Sequence, residues 1–170
     1  MVIAGLDFKI VSVPYTHRED SAQVNRDGVT DVVVKITADN GLAGWGESCS
    51  GANVESVLET LKACAPFLVG CDPWEREGLW QRCFHQGVWN FRESTFNFAW
   101  AGVDMALWAV CGRACGQPIY NLLGGRNREV QQTLSKRMEQ ASANLEFEAA
   151  AIQRDRIRAL AQITSHQSIS

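Results

Sequence analysis

The feature that most constrains this chain is the run Ala101-Gly-Val-Asp-Met-Ala-Leu-Trp108, followed by Gly116-Gln-Pro-Ile-Tyr-Asn-Leu-Leu-Gly-Gly125. The first part belongs to a helix, about Ser94 to Gly112, that is apolar on nearly every side. Such a helix is expected at the centre of its domain, with other elements packed around it. A glycine stop follows, and Pro118 opens a second short helix that ends at the Gly124-Gly125 pair. The lone acid of the buried helix, Asp104, reads as a paired structural carboxylate rather than a catalytic one.

What precedes that helix is strand-like. Residues 2–13 alternate in part and read as a first strand ending at Pro14, and the polar stretch Tyr15 to Gly28 reads as a long loop. Asp31 to Ala38 is β-branched, and Asp39-Asn-Gly41 supplies a tight hairpin into a third strand, Leu42 to Glu47. Helices follow. Val54 to Phe67 carries apolar residues at spacings of three and four, and Asp72-Pro73-Trp74-Glu75 reads as the start of the next helix, with Asp72 as its cap. Three strands and then helices predict an α+β fold, an antiparallel meander under a helical layer.

Composition narrows the class. The chain has 170 residues, 46% apolar and 21% charged, as an ordinary globular protein does. Net charge is −3 with no basic block, which argues against a nucleic-acid partner. No apolar stretch is long enough to span a membrane, and residues 1–9 lack a secretory pattern, so a cytoplasmic location is expected. The six cysteines (49, 64, 71, 83, 111 and 115) fall mostly inside apolar patterns and read as reduced, buried thiols. Cys111 and Cys115 lie one helical turn apart, but no further ligands at suitable spacing accompany them, so no zinc site is expected.

Beyond Gly125 glycines vanish, Phe147 is the last aromatic residue, and the text becomes rich in Ala, Gln, Glu and Arg. This composition shift places a domain boundary at 128/129, giving domains of 1–128 and 129–170. Thr133 to Ala161 reads as two helices with a break at Ser142-Ala-Asn144. Leu134, Met138, Ala141 and Leu145 form one stripe; Phe147, Ala150, Ala151, Ile157, Leu160 and Ala161 form the other. Two short helices bury little by themselves, so the tail is expected to pack, dimerise or meet a partner.

Three elements in order, Thr37-Ala-Asp-Asn-Gly-Leu-Ala-Gly-Trp-Gly-Glu47, Asp104-Met-Ala-Leu-Trp108 and Pro118-Ile-Tyr-Asn-Leu-Leu-Gly-Gly125, resemble the N-terminal capping domain of the enolase superfamily. The resemblance is to its mandelate racemase and muconate lactonizing enzyme group and covers residues 1 to about 128. Ala109 departs from it, where relatives often carry Asp. The tail from Met138 to Leu160 is similar to the UVR motif of bacterial excinuclease subunits, a helical hairpin used between repair proteins.

The first resemblance implies proton abstraction beside a carboxylate, with the enolate held on magnesium inside a barrel. Only 45 residues follow Gly125, against about 250 for a (β/α)₈ barrel. The four lysines, Lys9, Lys35, Lys62 and Lys136, make no Lys-x-Lys pair. No catalytic residue, metal ligand or cofactor is therefore expected in this chain, magnesium belonging to the complete family enzyme. The expected role is that of a capping domain that is not catalytic alone. Alternatives are a lid for a separately encoded racemase or dehydratase barrel, and an interaction protein acting through its tail.

In the family two loops of this domain cover the substrate. By position they are Tyr15 to Gly28, with Tyr15, Thr16, His17 and Arg18, and Ser48 to Asn53, with Ser48, Cys49 and Asn53. The first four residues suit an acidic ligand, although a polar loop is as simply read as solvated. Glu47 and His85 read as structural or solvated groups. The tail residues expected to meet a partner are Leu134, Met138, Leu145, Phe147, Ile157 and Leu160. Without a barrel, the helical layer and its tryptophans are expected to expose an apolar surface and drive self-association.

Overall fold

Alternation along one strand organises the first half of the molecule. In the computed structural model, which describes residues 1–22, 25–49, 53–87, 94–123 and 127–167, Val32, Val34, Ile36 and Ala38 are all buried while their sequence neighbours Val33, Lys35 and Thr37 are only half-buried. One face of the strand thus meets a helical layer. The strands are β1 (Ile3–Asp20), β2 (Asn25–Ala38) and β3 (Ala43–Cys49), in the order β1-β2-β3 with antiparallel pairing throughout. The 39–41 turn is as expected: Gly41 has φ 81° and its N–H donates to the Ala38 carbonyl at 2.9 Å.

β1 does not end at Pro14, and Tyr15 to Gly28 is not a loop. The strand continues to Asp20 and pairs back onto residues 25–28 as a ribbon, with a register shift between Pro14 and Glu19. Proline is tolerated here because β1 is an edge strand, where a missing N–H breaks little of the ladder. Its partner, Gly28, lies so close that a Cβ there would stand 2.6 Å from the Val13 carbonyl oxygen, which restricts the position to glycine.

The chain forms two compact units, Met1–Val110 and Cys111–Ser170. In the first, α1 (Val54–Leu68) starts from Asn53, whose side chain accepts from the Ser56 N–H. Its buried stripe is Val57, Leu61, Cys64 and Leu68. α2 (Arg76–Gln86) begins later than the sequence suggests. Asp72 accepts from the Trp74 N–H at 3.1 Å and makes a turn instead of capping the helix. α3 (Ser94–Cys115) has an open side: Phe98 and Met105 are 43% and 44% exposed, and Ala101 between them is exposed too. The expectation of complete burial fails there, because sheet and helices cover only one flank of α3 within this unit.

In the second unit α3 ends at Gly116, with φ 64°, as the glycine stop implies. α4 (Ile119–Leu123) follows Pro118; the Gly124-Gly125 pair lies outside the described residues. α5 (Asn127–Ala143) and α6 (Phe147–Gln167) form the helical hairpin, longer at both ends than the expected 133–161. Val130, Leu134, Ala141 and Leu160 are buried in this unit. Leu145 departs from the expected stripe. It sits at the hairpin tip with φ 62° and is 73% exposed, because chain reversal demands a left-handed residue there.

Candidate functional site

The ribbon at the end of β1 carries Tyr15, Thr16, His17 and Arg18, all exposed. Arg18 Nε lies 2.8 Å from Asp20 and 3.6 Å from Asp27, so its charge is already shared with two carboxylates across the ribbon. The second group of expected covering residues is divided by its packing. Ser48 is fully buried on β3 and donates its hydroxyl to the Ala99 carbonyl of α3 at 3.0 Å. Asn53 caps α1, and Cys49 is exposed at the end of β3. Residues 50–52 lie outside the described residues. Of the expected covering residues, Ser48 alone is buried; Tyr15 to Arg18, Cys49 and Asn53 are exposed, Asn53 with its Oδ1 taken by the Ser56 N–H.

The position of β3 is set by glycines whose role the sequence does not advertise. A Cβ on Gly46 would fall on the Gly102 carbonyl oxygen, one on Gly44 on the Ala106 carbonyl oxygen, and one on Gly102 on the Ser48 hydroxyl. Strand and helix thus meet backbone to backbone, and the Ser48 bond fastens the contact. The spacing Gly44-x-Gly46 was the available signal, since isolated glycines in a strand mark close approach of another backbone.

On the other face of the sheet, Asp31 and Glu47 form a carboxyl pair. Asp31 is 6% exposed, and its Oδ1 is buried without a hydrogen-bond partner. The hydrogen bond to Asp31, then the charge of Asp31, and last burial raise Glu47 above the usual carboxylate range. Glu47 itself is exposed, in keeping with the sequence reading of a solvated group, while antiparallel pairing of β2 and β3 brings Asp31 near it. Asp104, expected to be paired, accepts from Arg76 Nε and Nη2. Among the described residues no group of three or more His, Cys, Asp or Glu stands together. With Asp31 Oδ1 also closed off, these residues do not fit a magnesium site.

In the second unit, Met138, Ala143, Phe147, Ala150 and Ala151 line a cleft of about 680 Å³ between α5 and α6, together with Glu139 and Arg154. Of the residues expected to meet a partner, Leu145 and Phe147 are exposed, at 73% and 66%, and Met138 and Ile157 are half-buried. Leu134 and Leu160 are core residues of the hairpin and offer no surface.

A three-stranded antiparallel meander under helices, with an added helical hairpin, defines an α+β protein of the enolase N-terminal type. Residues 8–124 match the mandelate racemase / muconate lactonizing enzyme N-terminal domain, and the chain belongs to that family. Residues 128–163 match the UvrB/uvrC motif. The D-galactonate dehydratase of Verminephrobacter eiseniae is 38% identical over 100 residues, which are 59% of this chain and 26% of that protein. The chain thus spans about a quarter of the length of such relatives. A mandelate racemase-type protein of Bordetella bronchiseptica superposes with a TM-score of 0.62 at 31% identity, covering 73% of this chain and 33% of its own. The N-succinyl Arg/Lys racemase of Bacillus cereus shares the fold, with a TM-score of 0.64 at 23% identity over 72% of this chain and 33% of its own. No helix among the described residues is long and apolar enough to cross a membrane.

Proposed function

We propose that this chain is a substrate-capping unit of a mandelate racemase-like protein and has no turnover by itself. The carrying observation is that its family match is confined to the N-terminal domain, while the dehydratases it resembles are about four times longer than the matching part. Abstraction of a proton beside a carboxylate requires a base and a metal held by several carboxylates. Asp31 and Glu47 are one carboxyl pair, and their geometry serves the sheet. The ribbon side chains Tyr15, Thr16, His17 and Arg18, with Cys49, are the groups that would face an acidic ligand held by a barrel. Similarity to D-galactonate dehydratases makes a sugar acid the substrate class to test. The setting is the cytoplasm, where free thiols persist.

The test is direct. The purified chain with magnesium is offered a panel of sugar acids, and no turnover is expected; metal-dependent consumption by a contaminant-free sample overturns the reading. Adding a separately expressed barrel of a related dehydratase tests supply of the lid in trans, for which higher activity in the mixture is expected.

A second reading has its own observation. The cleft between α5 and α6 joins apolar walls to Glu139 and Arg154, and Leu145 and Phe147 stand exposed beside the turn. This is a surface on which another helix pair can dock. A pull-down comparing the full chain with one lacking residues 129–170 tests it, and unchanged partner recovery rejects it.

A further inference from the structure

We infer that the root of the helical hairpin is anchored in cis: Arg137 of α5 caps the C-terminal end of α3 across Gly116, so that the end of α3, α4 and the hairpin open as one unit. The geometry of the helix end shows why a cap is needed. Gly116 is left-handed, its N–H donates to the Arg113 carbonyl at 3.0 Å, and the Gln117 N–H donates to the Gly112 carbonyl at 2.8 Å. That pair of bonds is a Schellman closure, which leaves the carbonyls of Ala114 and Cys115 without helical donors. Arg137 Nη1 donates to the Cys115 carbonyl at 3.2 Å. A Cβ on Gly116 would stand 3.0 Å from Arg137 Nη2 and 3.3 Å from Nη1, so the guanidinium lies against the bare glycine. Gly116 thus turns the chain and also seats the arginine, whose charge falls at the negative end of the α3 dipole.

Burial divides the hairpin the same way. Val130, Leu134 and Leu160, at its root, are sealed, as are Cys111 and Cys115 of α3 and Leu122 of α4, and α5 packs on α4. At the tip Leu145 and Phe147 are open to solvent. The compact unit that holds the hairpin accordingly begins at Cys111, in the last turn of α3. The root is therefore used within this chain, and the tip alone remains to meet another protein. Cys115 makes the anchor measurable. Burial pushes its thiol up to about 11, against the charges of Arg156 and Arg137, so it reacts only when the unit opens.

The full chain is treated with iodoacetamide under native, mildly alkaline conditions, and labelling of each cysteine is followed by mass spectrometry. Arg137→Ala should speed labelling of Cys111 and Cys115 about five-fold, the scale of one net hydrogen bond. Cys64 and Cys83, in the core of the first unit, serve as internal references and should keep the parent's rates. Lys136→Ala, the neighbouring change on α5, should alter none of the four. Equal labelling of Arg137→Ala and the parent overturns the inference. So does equal acceleration of all four thiols, because Arg137 would then act on the whole chain. Gly116→Ala gives a second readout. Its methyl group displaces the guanidinium, so it should speed labelling more in the parent than in the Arg137→Ala background, and additive effects overturn the anchor. None of these outcomes depends on whether the chain acts as a capping unit.

Discussion

Arg76 donates to Asp104 Oδ1 through both Nε, at 2.9 Å, and Nη2, at 2.6 Å, while its guanidinium lies over the Trp108 ring with Cζ 3.9 Å from the centroid. One arginine thus ties the start of α2 to two successive turns of α3. The side chains are 20% and 30% exposed, so solvent screens the pair less than on an open surface. Arg76→Ala leaves Asp104 without its partner and uncovers Trp108; the expected loss is about 2 kcal/mol in urea unfolding. Arg76→Lys, which lacks the planar fork, should recover only part of it. A loss below about 0.5 kcal/mol for Arg76→Ala would mean the contact is incidental.

Gly46→Ala should be more severe than its size suggests. The added methyl group falls on the Gly102 carbonyl oxygen, a backbone atom that cannot rotate aside. The strand and helix must separate, and the Ser48 to Ala99 hydrogen bond breaks with them. Overpacking of this kind costs roughly 3 kcal/mol or more, against near neutrality for Gly78→Ala in α2, where nothing lies within 4 Å. Circular dichroism melts of the two variants measure the contrast.

Much of this fold was legible because its signals are local. The β-branched run of β2, the Asp39-Asn-Gly41 turn and the glycine stop at Gly116 each depend on a few neighbouring residues. What sequence reasoning missed depends on partners far along the chain. Pro14 reads as a strand end until the edge position of β1 is known. Ser48 reads as a loop residue until Ala99 appears 51 residues away, and Glu47, exposed as its sequence suggests, has the neighbour Asp31 only through strand register. Leu145 fits a helical stripe by spacing, but the hairpin needs its turn there.

The Asp31–Glu47 pair should make stability pH-dependent in a defined direction. Glu47 has a raised value when folded, so the folded chain holds this proton more tightly than the unfolded one. Its contribution is complete below the ordinary value of 4.5 and is lost as pH rises through the folded value. Glu47→Gln keeps a donor for Asp31 at every pH. The variant's thermal midpoint is expected to fall less than the parent's as pH climbs from about 4.5 toward neutrality. Parallel curves would show that the carboxyls do not share a proton.

The hairpin separates core from surface within one short sequence, and two substitutions should report the difference. Leu134 is fully buried, and Leu134→Ala is expected to destabilise the hairpin by about 3 kcal/mol, seen as faster amide exchange along α5 and α6. Phe147 is 66% exposed beside the cleft, so Phe147→Ser should leave exchange unchanged while weakening capture of a partner by the tail.

Self-association should follow the open side of α3. Phe98 and Met105, with Ala101 between them, expose one apolar stripe on a helix whose other flank is buried. Apolar surface of this kind tends to be covered, and a second copy of the chain is always present to cover it. Light scattering of the parent chain at low micromolar concentration is expected to give a mass above that of one chain, 18.8 kDa. Phe98→Ser/Met105→Ser should move that mass toward the monomer without lowering the melting temperature, since neither side chain is part of the core. If both remain monomeric, the stripe is too small to associate. If both associate equally, another surface is responsible, and the exposed residues Leu145 and Phe147 of the tail are the next to change.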